Sequence, residues 1–271
     1  MDILNIISYI ILGIIQGLTE PLPISSSGHV MIISNLINTK IDIELLAILT
    51  NFGSLLAILY LYRKRIITLC KDFFKYLKTG SKETKQSFKY VILLIIGTIP
   101  AGIFGLIVSA TDIFDKLEKN IKFVGVTLLI TALLLFLIRN IKGKKDDNKI
   151  TVKDAIIIGL FQVIALLPGI SRSGATIVGG MTRNLKRETA FDFSFLLYIP
   201  ISIATMILGI KDLLGSNLNT ITIIMYLIAT LLAGIVTYFA TKWFKNIVKN
   251  GKLIYFVIYC LIVGLTVILF L

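Results

Sequence analysis

Leu167-Pro168-Gly169-Ile170-Ser171-Arg172-Ser173-Gly174 interrupts an otherwise apolar segment running from residue 154 to 182, and its arginine decides how the rest of the chain is read. Of the 28 Lys and Arg residues, 27 sit in polar stretches between hydrophobic runs; Arg172 alone lies inside one. An unpartnered guanidinium at membrane depth costs roughly 3 kcal/mol on insertion scales and more in simulations, so it persists opposite a partner or an anionic ligand. The Pro, Gly and Ser residues around it make a polar loop suited to phosphate.

Working outward, the composition makes membrane depth the right setting. Mean hydropathy is +0.90, and 56% of the 271 residues are apolar, more hydrocarbon than a soluble fold can hide from water. The chain therefore reads as a polytopic membrane protein. Met1-Asp2-Ile3-Leu4 lacks the basic start and small-residue cleavage site of a secretory signal, so the first apolar run is expected in the mature protein. Cys70 and Cys260 lie far apart and support neither a disulfide framework nor a Cys/His metal site. The net charge of +13 does not indicate nucleic acid, because the basic residues gather at membrane edges without base-stacking aromatics. Topology and contact with anionic membrane lipids account for it.

Runs of about 20 residues, enough to span a bilayer, occur near 44 to 62, 90 to 109, 121 to 138, 190 to 210, 219 to 241 and 253 to 271, which predicts six full crossings. Two more apolar segments, 3 to 37 and 154 to 182, are broken at their centres. Pro21, Pro23 and three serines break the first; Pro168, Gly169, two serines and Arg172 break the second. Each yields two half-helices too short to cross. Residues 63 to 89, 139 to 153, 183 to 187 and 242 to 252 together hold 22 of the basic residues and are expected in the cytoplasm. The opposite loops hold only Lys40, Lys116, Lys119, Lys122 and Lys211. This assignment closes only if both broken segments are re-entrant hairpins, the first inserted from outside and the second from inside.

An internal echo supports that plan. A shift of 146 residues lays Gly13, Gln16, Ile24, Ser25, Ser27 and Gly28 on Gly159, Gln162, Ile170, Ser171, Ser173 and Gly174. The expected fold is all-α: six transmembrane helices and two re-entrant helical hairpins in a single integral membrane domain, 1–271, with inverted repeats at approximately 1–140 and 150–271.

Non-helical backbone at membrane depth is tolerated where protein or a wet cavity satisfies its polar groups, so the two hairpin tips are expected to face each other. The returning half-helices, beginning near Gly28 and Gly174, would aim N–H groups and positive dipole ends at an anion. The tips are unequal, since Ser26 corresponds to Arg172 and Glu20 to Leu166. Arg172 offers a planar fork for phosphate oxygens. Ser25, Ser26 and Ser27 supply hydroxyls, one of them a nucleophile if a base takes its proton. Glu20, a carboxylate inside an apolar segment, and His29, the single histidine, are the candidate bases, and the residues do not choose between them. Gln16 lies four residues before Glu20 on the same helix face, placed to orient it or to bind a metal-held water.

The segment Gln16-Gly17-Leu18-Thr19-Glu20-Pro21-Leu22-Pro23-Ile24-Ser25-Ser26-Ser27-Gly28-His29 resembles the (E/Q)xxxE motif and following Ser-Gly-His of bacterial undecaprenyl-diphosphate phosphatases of the bacitracin-resistance type. Pro168-Gly169-Ile170-Ser171-Arg172-Ser173-Gly174-Ala175-Thr176 is similar to that family's PGxSRSxxT signature, and the likeness extends to Gly53-Ser54-Leu55-Leu56-Ala57 and to residues 193–200. The resemblance implies removal of one phosphate from the C55 polyprenyl diphosphate carrier lipid, tolerance of bacitracin, a bacterial cell-membrane location with the site opening toward the outer face, and a divalent cation, Mg²⁺ or Ca²⁺. It implies Ser26 as nucleophile, Glu20 and Gln16 as the acidic-motif pair and metal ligands, and His29 as a proton-transfer partner. Arg172, Ser171, Ser173 and Thr176 would cradle the diphosphate, with Ser25, Ser27, Gly28 and Gly174 beside it. Two departures stand out: Gln16 occupies a position that is glutamate in many relatives, and Pro21 stands where an aromatic residue is frequent. A polyprenyl-phosphate flippase or transporter is the rival reading, since broken helices in inverted repeats are common in transporters. A homodimer is allowed and nothing in the sequence demands one.

Overall fold

A computed structural model describes residues 3–109, 111, 117, 120–215 and 218–271, with the side chains of residues 109 and 210–215 outside that description. Met1, Asp2, Lys116, Lys119 and the side chain of Lys211 therefore lie outside the described residues. Among the described residues ten α-helices follow one another: α1 (Ile3–Thr19), α2 (Ser26–Leu36), α3 (Ile43–Thr79), α4 (Lys85–Ser109), α5 (Ile121–Ile138), α6 (Val152–Ile164), α7 (Arg172–Thr182), α8 (Arg187–Gly215), α9 (Thr220–Lys249) and α10 (Ile254–Phe270). Among the described residues the only strand-like pairing is an isolated bridge between Lys145 and Leu185.

Local chemistry sets the boundaries. The side chains of Asp42, Asn120 and Asn219 accept from the N–H three residues on, at Leu45, Phe123 and Thr222, and start α3, α5 and α9. Thr151 and Asp154 form a reciprocal capping box at α6. Gly80, at φ 62°, closes α3 in the left-handed conformation that glycine adopts without strain. Pro100 and Pro200 lie inside α4 and α8, each removing one helical N–H.

Among the described residues, five helices are long and apolar enough to cross a membrane, Ile43–Thr79, Lys85–Val108, Ile121–Ile138, Arg187–Gly209 and Thr220–Lys249, as a polytopic membrane protein requires. The sixth expected crossing, α10, is apolar but only 17 residues long. Helix α3 departs from expectation in the other direction. It continues 17 residues past the run ending at 62, because Lys and Arg end a hydrophobic stretch without ending a helix. Its 37 residues make a rod of about 55 Å.

The four basic stretches meet at one end of the molecule. Arg65 bonds Asp192 at 3.4 Å and is ion-paired with Asp147. Lys145 and Arg183 both hold the buried Asp154 at 2.9 Å. Lys245 reaches Asp192 at 2.7 Å, and Lys249 reaches Glu188 at 3.2 Å. At the far end of α9, Tyr226 Oη donates to Asp42 O at 3.4 Å.

The main core lies near the charged end, built on fully buried Phe191, Phe193 and Phe244, while aliphatic side chains such as Leu231, Leu133 and Leu269 face outward. Helix α1 lies close against the middle of α9: a methyl group at Gly17 would stand 2.4 Å from Ala233 O. Helix α6 does the same against α4, where a methyl at Gly159 would lie 2.5 Å from Gly97 O.

Candidate active site

Both interruptions fold as tight tips between short helices. Pro21 and Pro23 lack the N–H groups that would continue α1, and Ile24 N bonds Leu22 O at 2.8 Å across the turn. In the second tip Gly169 adopts φ 86°, and a Cβ there would stand 2.0 Å from Thr127 Oγ1. The returning helices start two residues earlier than the sequence predicts, at Ser26 and Arg172, because the preceding serine caps each one. Ser25 Oγ accepts from Gly28 N at 3.2 Å, and Ser171 Oγ accepts from Gly174 N at 3.1 Å. The N–H groups of Gly28 and Gly174, expected to face a ligand, are thus spent on the caps, and so are lone pairs of Ser25 and Ser171.

The two tips touch. Ser171 Oγ and Ser173 Oγ donate to Leu22 O at 3.3 and 3.0 Å, so the second hairpin's serines bind the first hairpin's turn. Ser27 Oγ lies 3.4 Å from Ser25 Oγ.

Glu20 is where the predicted residues converge. Ser26 Oγ donates to Glu20 Oε2 at 2.5 Å, and Gln16 Nε2 donates to the same oxygen at 2.9 Å. The other carboxylate oxygen is ion-paired with Arg172 Nη2. One carboxylate therefore joins the hydroxyl of the first hairpin to the guanidinium of the second, and its side chain is only 6% exposed. Arg172 in turn lies over the ring of Tyr198, 4.2 Å from its centroid, and Nη1 stands 3.4 Å from Ser202 Oγ. Tyr198 Oη donates to Asn51 Oδ1 at 2.7 Å. Thr176 Oγ1 donates to Arg172 O at 2.9 Å and is hydrogen-bonded to Ser194. Glu20, Arg172, Ser173, Thr176, Ser194, Tyr198 and Thr237 line a cavity together with Pro21, Ile58 and Phe195.

His29 is placed differently. Its ring Nδ1 is 2.7 Å from Ser25 O and its Nε2 is 2.8 Å from Tyr259 Oη, so both nitrogens are engaged away from Ser26. Asn51, Tyr198, Ser202, Ser194, Thr237 and Tyr259 are the participants that sequence reading passed over. A signal existed for Asn51, an amide in the middle of an apolar run. Ser194 and Tyr198 lay within the 193–200 likeness without a role assigned to them, and Tyr259 carried no signal, because aromatic residues are ordinary in such spans.

The residues do not make a metal cage by themselves. Among the described residues no three His, Cys, Asp or Glu side chains are grouped to hold an ion, and the charge of Glu20 is already matched by Arg172.

Comparison with known proteins places the whole chain in a family. Residues 9–266 match the family model described as BacA, bacitracin resistance protein BacA. The chain is 47% identical over 267 residues to "Undecaprenyl-diphosphatase 2" of Bacillus thuringiensis strain Al Hakam, covering 98% of each chain. It is 45% identical over 270 residues to "Undecaprenyl-diphosphatase 1" of Bacillus licheniformis, covering 100% of each. It is 44% identical to the "Undecaprenyl-diphosphatase" of Oceanobacillus iheyensis, over 98% of this chain and 97% of that one.

Proposed function

The chain belongs to the BacA family of bacitracin resistance proteins, and from that premise we propose that it is an undecaprenyl-diphosphate phosphatase. It hydrolyses the C55 polyprenyl diphosphate carrier to the monophosphate and inorganic phosphate, returning the carrier to cell-wall synthesis and conferring bacitracin resistance. The observation that carries the chemistry is the single carboxylate, Glu20, that accepts from Ser26 Oγ at 2.5 Å and pairs with Arg172.

Glu20 is the base that this geometry favours. In the proposed reaction the Ser26 Oγ–H proton passes to the Glu20 carboxylate as Oγ forms a bond to the terminal phosphorus. The bond from that phosphorus to the bridging oxygen breaks, leaving polyprenyl monophosphate. Arg172 exchanges its carboxylate partner for the equatorial phosphate oxygens, where its planar fork opposes the developing charge. Water then cleaves the phosphoserine, Ser26 regains a proton, and inorganic phosphate leaves. Ser173 and Thr176 line the cavity beside Glu20 and Arg172, where they would flank the bound phosphate. A divalent cation, Mg²⁺ or Ca²⁺, would have to arrive with the diphosphate, whose oxygens supply most of its ligands and whose charge it offsets; Glu20 and the Gln16 amide oxygen are the protein donors on offer.

The proposed topology is six crossings with two re-entrant hairpins, α1–α2 and α6–α7, in inverted repeats. In support, α1 ends against the middle of α9, where Thr237 Oγ1 donates to Gly17 O at 3.0 Å. Helix α6 starts at the opposite, charged end, where its Asp154 is held by Lys145 and Arg183. With the basic end in the cytoplasm, the site opens toward the outer face.

The test is phosphate release from a C55 or C15 prenyl diphosphate by protein purified in detergent. Ser26→Ala should abolish release while leaving membrane insertion intact, and Arg172→Ala should weaken both binding and rate. Retained turnover in Ser26→Ala removes that hydroxyl as nucleophile.

A further inference from the structure

Ile-Ser-x-Ser-Gly occurs in both hairpin tips, yet the two capping serines differ in backbone conformation. Ser171 is ordinary extended backbone, at φ −71° and ψ 119°. Ser25 stands at φ 69° and ψ 103°, a region that residues with a Cβ rarely occupy unless their surroundings over-determine it. The strained serine is the one directly before Ser26.

One difference between the two tips acts on the capping serine's own carbonyl. Four residues after Ser171 stands Ala175, whose N–H donates to Ser171 O at 2.8 Å. Four residues after Ser25 stands His29. Its N–H makes the equivalent bond at 3.2 Å, and its ring brings a second nitrogen, Nδ1, within 2.7 Å of the same carbonyl oxygen. A carbonyl only accepts, so Nδ1 carries a proton. Tyr259, from α10, fixes the rest of the ring: its hydroxyl lies 2.8 Å from Nε2, and the two rings stack at 15° with centroids 5.5 Å apart. The histidine is 6% exposed.

We propose that His29, braced by Tyr259, is a positioning residue that grips the Ser25 carbonyl and holds the Ser25–Ser26 peptide in its left-handed conformation, so that Ser26 Oγ meets Glu20. Since both ring nitrogens are engaged elsewhere, the ring has no lone pair directed at the Ser26 proton. The histidine is present at the tip that carries the strain, and alanine replaces it at the relaxed one. This inference rests on the reading of Ser26 as nucleophile.

The experiment measures phosphate release from C15 prenyl diphosphate, with kcat, KM, pH profile and melting temperature, for the full chain in detergent. His29→Ala should lower kcat by about tenfold or more with little change in KM. Adding Ser25→Gly should restore most of that loss, because glycine adopts positive φ without a clamp and is itself an acceptable N-cap. The double variant should keep the wild-type pH profile. If His29→Ala does not fold, Tyr259→Phe, which keeps the stack and loses the hydroxyl, should show a partial kcat loss that Ser25→Gly also restores. A folded double variant as slow as His29→Ala, or a pH limb lost with the histidine, overturns the clamp and makes His29 a proton carrier. Ser26→Ala runs beside them: turnover there removes the nucleophile and the clamp's purpose together, whereas an inactive Ser26→Ala with no rescue removes the clamp alone.

Discussion

Arg172 is positioned by neighbours from three other helical segments: Glu20 at the end of α1, Tyr198 and Ser202 on α8, and Asn51 of α3 acting through Tyr198. A guanidinium over an aromatic face gains about 0.5 to 2 kcal/mol depending on desolvation, and here the ring is itself tethered. Tyr198→Leu removes the face and the tether. It should raise KM for prenyl diphosphate by about tenfold, whereas Tyr198→Phe, which keeps the face, should cost less; equal losses in steady-state phosphate release would deny the ring its role. Arg172, Glu20 and His29 could be found in the sequence because isolated polar groups stand out against hydrocarbon. The convergence of Gln16, Ser26 and Arg172 on the Glu20 carboxylate was only half legible. Gln16 and Glu20 share a helix face by spacing alone, but the Arg172–Tyr198–Asn51 chain joins residues up to 147 apart in sequence. The partner of His29 lies 230 residues away on α10, which no local pattern announces.

The hairpins depend on how their arms begin as well as on their tips. Helix α6 starts on Asp154, a fully buried carboxylate held by Lys145 at 2.9 and 3.1 Å, by Arg183 at 2.9 Å, and by the Thr151 N–H at 3.0 Å. Burial alone would raise its pKa, but these bonds from Lys145, Thr151 and Arg183 outweigh it and hold the carboxyl below its ordinary value. A carboxyl depressed in the fold contributes stability above its unfolded pKa, near pH 4, and loses it as pH falls through the folded value. Asp154→Asn should therefore lower the melting temperature at pH 7, and the gap to wild type should narrow as the pH is taken from 5 to 3. At neutral pH the loss should be about 3 kcal/mol, the low end for breaking a buried pair, because Lys145 and Arg183 stay 27% and 29% exposed. Scanning melts across that pH range would show it, and a gap that stays constant would count against the linkage. The positions of the breaks were readable from Pro, Gly and Ser clusters. Helix ends were not, since α3 runs on through its basic residues and each capping serine starts its helix two residues early.

Across the whole molecule, the basic stretches that the sequence assigns to one membrane face do come together through their ion pairs. Among the described residues, the helices run 17, 11, 37, 25 and 18 residues before position 150 and 13, 11, 29, 30 and 17 after it, lengths compatible with the proposed repeat. The proposed orientation can be read chemically because Cys70 is exposed on α3 beyond the apolar run and Cys260 is buried. A membrane-impermeant maleimide should label Cys70 in inside-out vesicles and leave it untouched in intact right-side-out ones; the reverse pattern would invert the topology. Cys70 rides on a section of α3 that the bilayer has no room for, since the helix is about 55 Å long and the hydrocarbon core about 30 Å thick. Phe73 and Tyr76 on that section pack against Phe88 of α4, 5.2 and 4.5 Å between ring centroids, which stiffens it. A small enzyme otherwise sunk in lipid thus carries its own rigid handle, where an antibody fragment raised for cryo-electron microscopy would find purchase without covering the mouth proposed for the opposite face.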